Sequence, residues 1–260
     1  MKISKAFALL TDLRLAIQAA FFPTTRDIIS TPSMLLSPSA VSQRFMAYVW
    51  DAFAGGTDQA ARVVKDGLIP PYARGVVLDI GAGHGHTINY LDRTKVTKYV
   101  ALEPNARMHN EIRKRAKAAG FSEEDASLLI LSHGAQDTAR ICDSLGDTQV
   151  VDTIVSVLTI CSIPSPKRTL KDLVENVLKP GGTLLFYEHV QNPKPDVAWW
   201  QWFWTPLWKT AFDGCRLDRP THLWIDAMQV WETQELWGKE GEDPESLFWH
   251  RAGRYVKARE

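Results

Sequence analysis

The sequence predicts an α/β fold in which a doubly wound, mostly parallel sheet of seven strands carries an N-terminal helical cap. Three observations predict this fold. From residue 76 onward, short apolar runs alternate with helical segments, which is typical of parallel strands joined by crossover helices. A glycine-rich loop follows the first apolar run directly. Before residue 67 the chain contains only helical patterns and one crossing segment, so we expect a cap over 1–66 and the sheet domain over 67–260.

The composition is consistent with one large domain plus a cap, because the chain has 260 residues, 45% of them hydrophobic and 23% charged. Thirty basic and thirty acidic residues cancel, so no overall field attracts nucleic acid, and we expect no nucleic-acid partner. The three cysteines have neither metal-site nor disulfide-framework spacing, so we expect no metal ion, a reducing environment and a cytoplasmic location. The oligomeric state stays open.

The N-terminal segment, Ala6 to Phe22, is apolar but contains Asp12 and Arg14, so we interpret it as an amphipathic helix rather than a membrane span. Its apolar face could cover a ligand pocket, pack as structure or contact a membrane surface, in that order of preference. We expect residues 24–40 to form an ordered connecting segment rather than a flexible linker. Ser39 then caps a helix that we expect to end at Gly55-Gly56, before a short helix to about Asp66.

The elements of the sheet domain follow in alternating order. Strands are predicted at 76–80, 99–102, 127–131, 151–158 and 183–189, with helices at 86–91, 106–119, 139–145 and 165–178, and a final antiparallel strand at 249–257. Ligands of such sheets bind at the carboxyl ends of the strands.

The loop after the first strand contains Asp79 and then glycine at every second position, Gly81, Gly83 and Gly85, in a D-x-G-x-G-x-G pattern. Glycines let the backbone approach a ligand closely. Glu103 ends the next strand 18 positions after Gly85, near the ~20 expected between a glycine loop and a ribose-binding carboxylate. A carboxylate accepts hydrogen bonds from two vicinal hydroxyls. The pattern therefore predicts a nucleoside-type cofactor.

These motifs, with Leu178-Lys179-Pro180-Gly181-Gly182, resemble the class I S-adenosylmethionine (SAM)-dependent methyltransferases of the broad ubiquinone-biosynthesis type, which have a Rossmann-like fold. The C-terminal half is more specific. Segments 158–163, 187–190 and 212–217 and the tryptophan-rich run are similar to the methyltransferase-like thiol methyltransferases. That family has a longer apolar membrane anchor than this chain shows, so we do not transfer its membrane association.

The resemblance implies SAM as the cofactor and assigns its contacts. The methionine end would lie over the glycine loop, the ribose on the acid of the second strand, the adenine beside the loop after the third strand and the sulfonium above the end of the fourth. The residues assigned to the methionine end are Asp79, Gly81, Ala82, Gly83 and Gly85, and those assigned to the ribose are Glu103, Pro104 and Asn105. Gly134, Ala135 and Gln136 are assigned to the adenine, and Leu158 and Thr159 to the sulfonium.

Two residues are candidate general bases, His189 at the end of the fifth strand and Asp213 in an Asp-Gly turn. A structural role is an alternative for each. Cys161 and Cys215 are interpreted as small buried hydrophobes.

An aromatic run lies in segment 196–220 and has two interpretations. It could form the wall of a pocket for a hydrophobic substrate, or a helix that packs the cap onto the sheet. The residues assigned to the substrate are Trp199, Trp202, Phe203, Trp204 and Trp208.

We therefore expect a SAM-dependent methyltransferase acting at O, S or C of a hydrophobic small molecule, with a place in natural-product (secondary) metabolism. One alternative is a pericyclase that keeps the fold and its SAM but catalyses a Diels-Alder-type cyclisation without consuming it. A non-catalytic SAM-binding protein is a third hypothesis.

Overall fold

The sheet of the computed structural model, which describes residues 1–259, has seven strands in the order β3-β2-β1-β4-β5-β7-β6. The first five strands are parallel, and β7 runs antiparallel between β5 and β6. The strands are β1 Gly75–Ile80, β2 Val96–Leu102, β3 Leu128–Leu131, β4 Val151–Val157, β5 Leu178–Val190, β6 Trp231–Gly238 and β7 Trp249–Lys257. The predicted Rossmann-like, mostly parallel seven-stranded sheet is confirmed.

The central strands are buried on both faces because helices cover both sides of the sheet. In β1 the last four residues are buried, and Leu78 pairs with Val100 of β2 on one side and Ile154 of β4 on the other. The helices of the sheet domain are α4 His109–Ala118, α5 Thr138–Leu145, α6 Pro166–Asn176, α7 Pro195–Ala211 and α8 Thr221–Asp226. A 3-10 helix at His86–Tyr90 stands where an α-helix was expected at 86–91. A 3-10 turn at Ala106–Met108 replaces the first turn of the helix expected at 106–119.

The cap consists of α1 Ile3–Ala6, α2 Leu9–Ser30 and α3 Pro38–Leu68, with a 3-10 turn at Pro32–Leu36 between the last two. The predicted break at Gly55-Gly56 is wrong, because α3 is one continuous helix of 31 residues that contains both glycines. Two glycines weaken a helix by only about 1 kcal/mol each, which packing on the sheet domain offsets. The side chain that caps α3 is Ser37, not Ser39.

Two features of the strands differ from the expectation. Most residues of β6 are exposed and only half of them are polar, but the strand contains no continuous apolar run to recognise. The strand β5 begins at Leu178, because Leu178 already pairs with Val151, and the register then shifts within the strand before Thr183 pairs with Thr153.

The cap packs on α7 through a core of its own, in which Leu9, Ala16 and Val49 lie with Trp204 and Trp208. The opposite faces of these helices leave large apolar side chains exposed, among them Phe21, Phe22, Trp199, Trp202 and Phe203. One helical stretch, Ile3–Ser30, is long and apolar enough to cross a membrane by length and composition alone, a test that core helices and signal sequences also pass.

Candidate active site

The glycine loop after β1 has a backbone that only glycine adopts without strain. Gly81, Gly83 and Gly85 all have positive φ, between 55° and 76°. The loop is held to the neighbouring strand, since the amides of Gly81 and Ala82 both donate to the carbonyl of Leu102. A Cβ on Gly81 would lie 2.3 Å from the Thr159 side chain, so this position has neither the backbone nor the space for another residue.

Glu103 lies beside this loop, at the carboxyl end of β2. One carboxylate oxygen accepts the amide of Gly83 at 2.8 Å and the other accepts the amide of Asn105 at 2.8 Å. Each oxygen keeps a free acceptor site, which is what two vicinal ribose hydroxyls need. Burial raises the pKa of Glu103 to about 7, so this carboxyl titrates near neutral pH.

Asp79 lies at the end of β1, and its carboxylate accepts a hydrogen bond from the Tyr99 hydroxyl at 2.7 Å. Burial raises the pKa of Asp79 to about 6. The carboxyl lines a small cavity of about 40 Å³ together with Gly81, Ala82 and Leu158. Asp79 therefore joins the end of β1 to Tyr99 of β2 and lies in the wall of this cavity.

Trp50 of α3 closes this small cavity from the cap side. A Cβ on Gly83 would lie 2.7 Å from Trp50 Nε1, and this indole nitrogen is buried without a hydrogen-bond partner among residues 1–259. A cavity of about 40 Å³ is far smaller than the roughly 300 Å³ or more of a typical small-molecule site. The glycine loop and both carboxylates fit SAM chemically, whereas the indole must move aside to admit it.

The remaining residues expected at the cofactor lie along the same edge of the sheet. Gly134, Ala135 and Gln136 follow β3, where the carbonyl of Gly134 accepts the amide of Asp137. Asn105 donates its side-chain amide to the carbonyl of Gln43, which ties this edge to the start of α3. Pro104, between Glu103 and Asn105, is exposed.

Leu158 and Thr159 follow β4, and Leu158 has a positive φ of 55°. Sequence reasoning missed the residue that holds this turn. Glu188 of β5 is fully buried and accepts hydrogen bonds from the Ser156 hydroxyl and from the amides of Thr159 and Ile160. A buried acid within an apolar strand is the signal that could have identified it.

A cavity of about 940 Å³ lies between the cap and the carboxyl ends of β4 and β5. Its wall is largely apolar or aromatic, and it adjoins the cofactor edge because Trp50 and Leu158 line both cavities. Other lining residues are Leu15, Met46, Val49, Phe53, Tyr187, Phe212 and Phe248. A volume of this size suits a drug-sized apolar ligand.

His189 lies in the wall of this cavity with Cys161 and Cys215. His189 Nε2 lies 3.3 Å from Cys215 Sγ, which in turn lies 3.3 Å from Cys161 Sγ. The hydrogen bond from Cys215 and burial hold the pKa of the Cys161 thiol well above its usual range. The two cysteines are 54 positions apart, so no spacing pattern in the sequence could have brought them together.

Asp213, the second candidate base, does not line the large cavity in which His189 lies. Its carboxylate accepts the Ser42 hydroxyl at 2.9 Å, which joins the turn after α7 to the cap, and burial raises its pKa. Asp213 also lies near enough to Glu103 for its charge to raise the pKa of that carboxyl. The structure thus places Asp213 on the cofactor side.

The aromatic run divides between the two interpretations. Of the five residues assigned to the substrate, Trp208 alone lines the large cavity. Trp199, Trp202 and Phe203 are about half exposed, at 51%, 60% and 47%, and Trp204 packs under the cap, where its Nε1 donates to the carbonyl of Ala6. A helix presents only one side to a pocket, so successive aromatic residues of α7 could not all face it.

Comparison with known proteins agrees with this geometry. A family model described as a methyltransferase domain matches residues 56–229. Thiol S-methyltransferase TMT1B of Rattus norvegicus is 31% identical over 182 residues, covering 69% of this chain and 68% of the relative. The Homo sapiens TMT1B is 30% identical over 170 residues, covering 65% of each chain. A solved geranyl diphosphate methyltransferase in complex with SAM superposes with a TM-score of 0.55 at 14% identity, covering 77% of this chain and 85% of the other.

Proposed function

The chain belongs to the methyltransferase domain family and is a SAM-dependent methyltransferase, and we propose that it methylates the sulfur of a hydrophobic thiol. The observation that carries the proposal is the cavity of about 940 Å³, whose largely apolar wall contains a sulfur- and imidazole-bearing cluster and adjoins the glycine loop. The relatives named thiol S-methyltransferases support the choice of sulfur.

The proposed roles at the cofactor follow from the contacts. The amide-bound carboxylate of Glu103 holds the ribose, the loop from Gly81 to Gly85 faces the methionine end, and Leu158 forms the floor next to the substrate cavity. SAM supplies an electrophilic methyl group on a positively charged sulfur. The departing thioether is neutral, so the protein needs no acid to assist it.

The chain's own contribution is to bind the thiol, align it and exclude water. Holding two reactants in line can supply most of the rate acceleration. A thiol ionises more readily than the corresponding hydroxyl, and the cysteine thiol has a pKa of about 8.5, so a thiol substrate needs only a weak base. His189 is the proposed base, because its ring lies in the cavity wall and histidine titrates near neutrality.

The experiment is a substrate panel with two matched variants on α7. Aliphatic and aromatic thiols, with phenols and amines of equal size, are incubated with SAM, and products are identified by mass spectrometry. We expect thiols to be methylated fastest. Trp208→Ala, in the cavity wall, should raise KM about 10-fold or more for hydrophobic thiols, the effect of removing roughly 1.5–3 kcal/mol of aromatic contact.

Trp202→Ala is the control, since Trp202 is 60% exposed on the same helix. It should leave KM within twofold. Preferred methylation of phenols or amines, or equal effects of the two variants, would contradict the proposed substrate class or its place in this cavity.

A further inference from the structure

The side-chain cluster of Cys161, His189 and Cys215 has the donor set of a metal site. Its sulfur and nitrogen atoms all lie within 4.8 Å of one another, and two of the three separations are 3.3 Å. In a tetrahedral zinc site with Zn–S about 2.3 Å and Zn–N about 2.0 Å, the ligand atoms are about 3.6–3.8 Å apart. The three ligand atoms therefore need only sub-ångström to ångström movements to surround one ion.

The backbone holds this cluster from three elements. His189 lies near the end of β5, Cys161 lies in the turn after the adjacent strand β4, and Cys215 follows α7. The turns that carry the two cysteines are joined, because the amide of Arg216 donates to the carbonyl of Cys161 at 3.1 Å. The buried carboxylate of Glu188 fixes the start of the first turn through the amide of Thr159. Backbone hydrogen bonds therefore hold the segments that carry the two cysteines in position.

A second observation is independent of the distances. His189 is only 4% exposed, and its Nδ1 has no hydrogen-bond partner among residues 1–259. The imidazole is therefore held in an apolar surrounding, against the edge of Phe248, with only one of its nitrogens engaged by a weak thiol contact. A metal ion on Nε2 would replace this weak contact with a strong bond, whereas Nδ1 would keep its present surroundings.

The cluster has an open side, because all three residues line the large cavity. Two cysteines and one histidine with a free fourth position form a known donor set for catalytic zinc. Two thiolates neutralise a divalent ion, so the loaded cluster would add no net charge to an apolar wall. Ser162 is the neighbouring polar residue in the same part of the wall, 3.6 Å from Cys161 Sγ through its hydroxyl.

We propose that Cys161, His189 and Cys215 bind a thiophilic divalent metal ion, Zn²⁺ in the first instance, and that its fourth position takes the sulfur of the thiol substrate. The second half of this inference rests on the proposed function. Metal-bound thiols lose their proton outright at neutral pH. A metal-bound imidazole cannot also accept the thiol proton, so in the metal-loaded chain the ion, and not His189, would activate the thiol.

The step balances without any oxidant or reductant. The thiol proton leaves to bulk solvent when the thiol binds the ion, before methyl transfer, and the sulfur then forms a new bond to the methyl carbon. The bond between that carbon and the donor sulfur breaks, and its electron pair stays on the departing thioether. The metal ion keeps its oxidation state.

The test measures metal binding separately from activity. The full chain is stripped with a chelator under reducing conditions and titrated with Zn²⁺ by calorimetry and with Co²⁺ by absorption spectroscopy. We expect one ion per chain and thiolate-to-cobalt charge-transfer bands. Cys161→Ser and Cys215→Ser should weaken binding at least about 100-fold, more than the usual loss of an outer-shell partner.

Cys142→Ser is the matched control, because Cys142 is the third free cysteine and lies away from the cluster, against the carbonyl of Asn176. It should bind the ion as the parent chain does. Circular dichroism and SAM affinity monitor folding, and Cys215→Ala offers a second variant where serine perturbs the turn. Failure of the parent chain to bind Zn²⁺, or binding that Cys161→Ser and Cys215→Ser leave unchanged, would overturn the metal site.

Adding a thiol substrate to the Co²⁺-loaded chain tests the open position. We expect the charge-transfer bands to shift. An unchanged spectrum in a chain that methylates the thiol would overturn the substrate-ligand half and leave the metal site standing. A loaded chain that shows the spectral shift but no methyl transfer would contradict the proposed function instead.

Discussion

At the scale of single residues, the cofactor edge depends on carboxylates that the fold buries. Glu103 has both oxygens tied to backbone amides, yet burial raises its pKa to about 7. Asp79 has a pKa of about 6 for the same reason. Their folded pKa values exceed the unfolded ones, so the stability they contribute is present at low pH and is lost as pH rises through about 4 to 7.

This titration predicts a pH dependence of SAM binding. In the proposed role, the ionised Glu103 would accept both ribose hydroxyls and favour a cationic ligand, so SAM affinity should rise from pH 6 to pH 8 and level off. Glu103→Gln should weaken binding at pH 8 by about 10–100-fold, the effect of losing charged hydrogen bonds of roughly 1.5–3 kcal/mol. Calorimetry across this pH range measures both. In Glu103→Gln, SAM affinity should no longer rise between pH 6 and pH 8. An identical pH profile in both proteins would show that Glu103 does not cause the rise in affinity.

At the scale of elements, the cap helix α3 both covers the sheet and blocks the cofactor loop. Trp50 lies against Gly83, and the cavity that remains beside Asp79 has a volume of only about 40 Å³. We expect Trp50→Ala to speed SAM association several-fold, because the binding-competent state no longer requires the indole to move. Stopped-flow fluorescence of the remaining tryptophans measures the rate. Association no faster than in the parent chain would show that Trp50 does not gate the loop.

The continuity of α3 predicts a stabilising change. Gly55 lies within the helix, and a Cβ there would meet nothing within 4 Å. Gly55→Ala should therefore stabilise the chain by about 1 kcal/mol and raise Tm by about 2–4 °C. Gly120→Ala is the matched control, because it also has open space but a φ of +79°, and it should destabilise by about 1 kcal/mol. Thermal unfolding compares them, and a lowered Tm for Gly55→Ala would contradict a continuous helix.

The sequence predicted most of the sheet because its signals are local. The apolar run before Gly81 and the acid at Glu103 lie where their pattern places them, at the carboxyl ends of neighbouring strands. The break at Gly55-Gly56 was wrong because helix propensity is a weak effect that tertiary packing overrides. The strand β6 had no apolar run to detect, since it forms an exposed edge of the sheet.

The site was only partly predictable for a related reason. His189 was expected in the site from its position near the end of β5, and the structure places it in the cavity wall. Its contacts with Cys161 and Cys215 join segments that are distant in the chain, and only the fold brings them together. The aromatic run was ambiguous because its composition does not reveal which side of α7 faces the cavity, and Trp208 does so while Trp202 does not.

At the scale of the whole molecule, the sheet supplies the cofactor edge and the cap closes the substrate cavity over it. The cap covers the glycine loop through Trp50, contacts Asn105 after β2 through Gln43, and contacts Asp213 after α7 through Ser42. The two functions meet at Leu158, which lines both cavities. Under the proposed function, this arrangement would hold a hydrophobic thiol beside the methyl donor and away from water.

The most direct measurement of that claim is the transfer of a deuterated methyl group. The chain is incubated with SAM carrying a trideuterated methyl and with the best thiol of the panel, and all species are quantified by mass spectrometry. We expect a thioether that contains the labelled methyl, formed in equal amount with S-adenosylhomocysteine. A product of unchanged mass with SAM intact would point to the pericyclase alternative, and the absence of any labelled thioether across the thiol panel would contradict S-methylation.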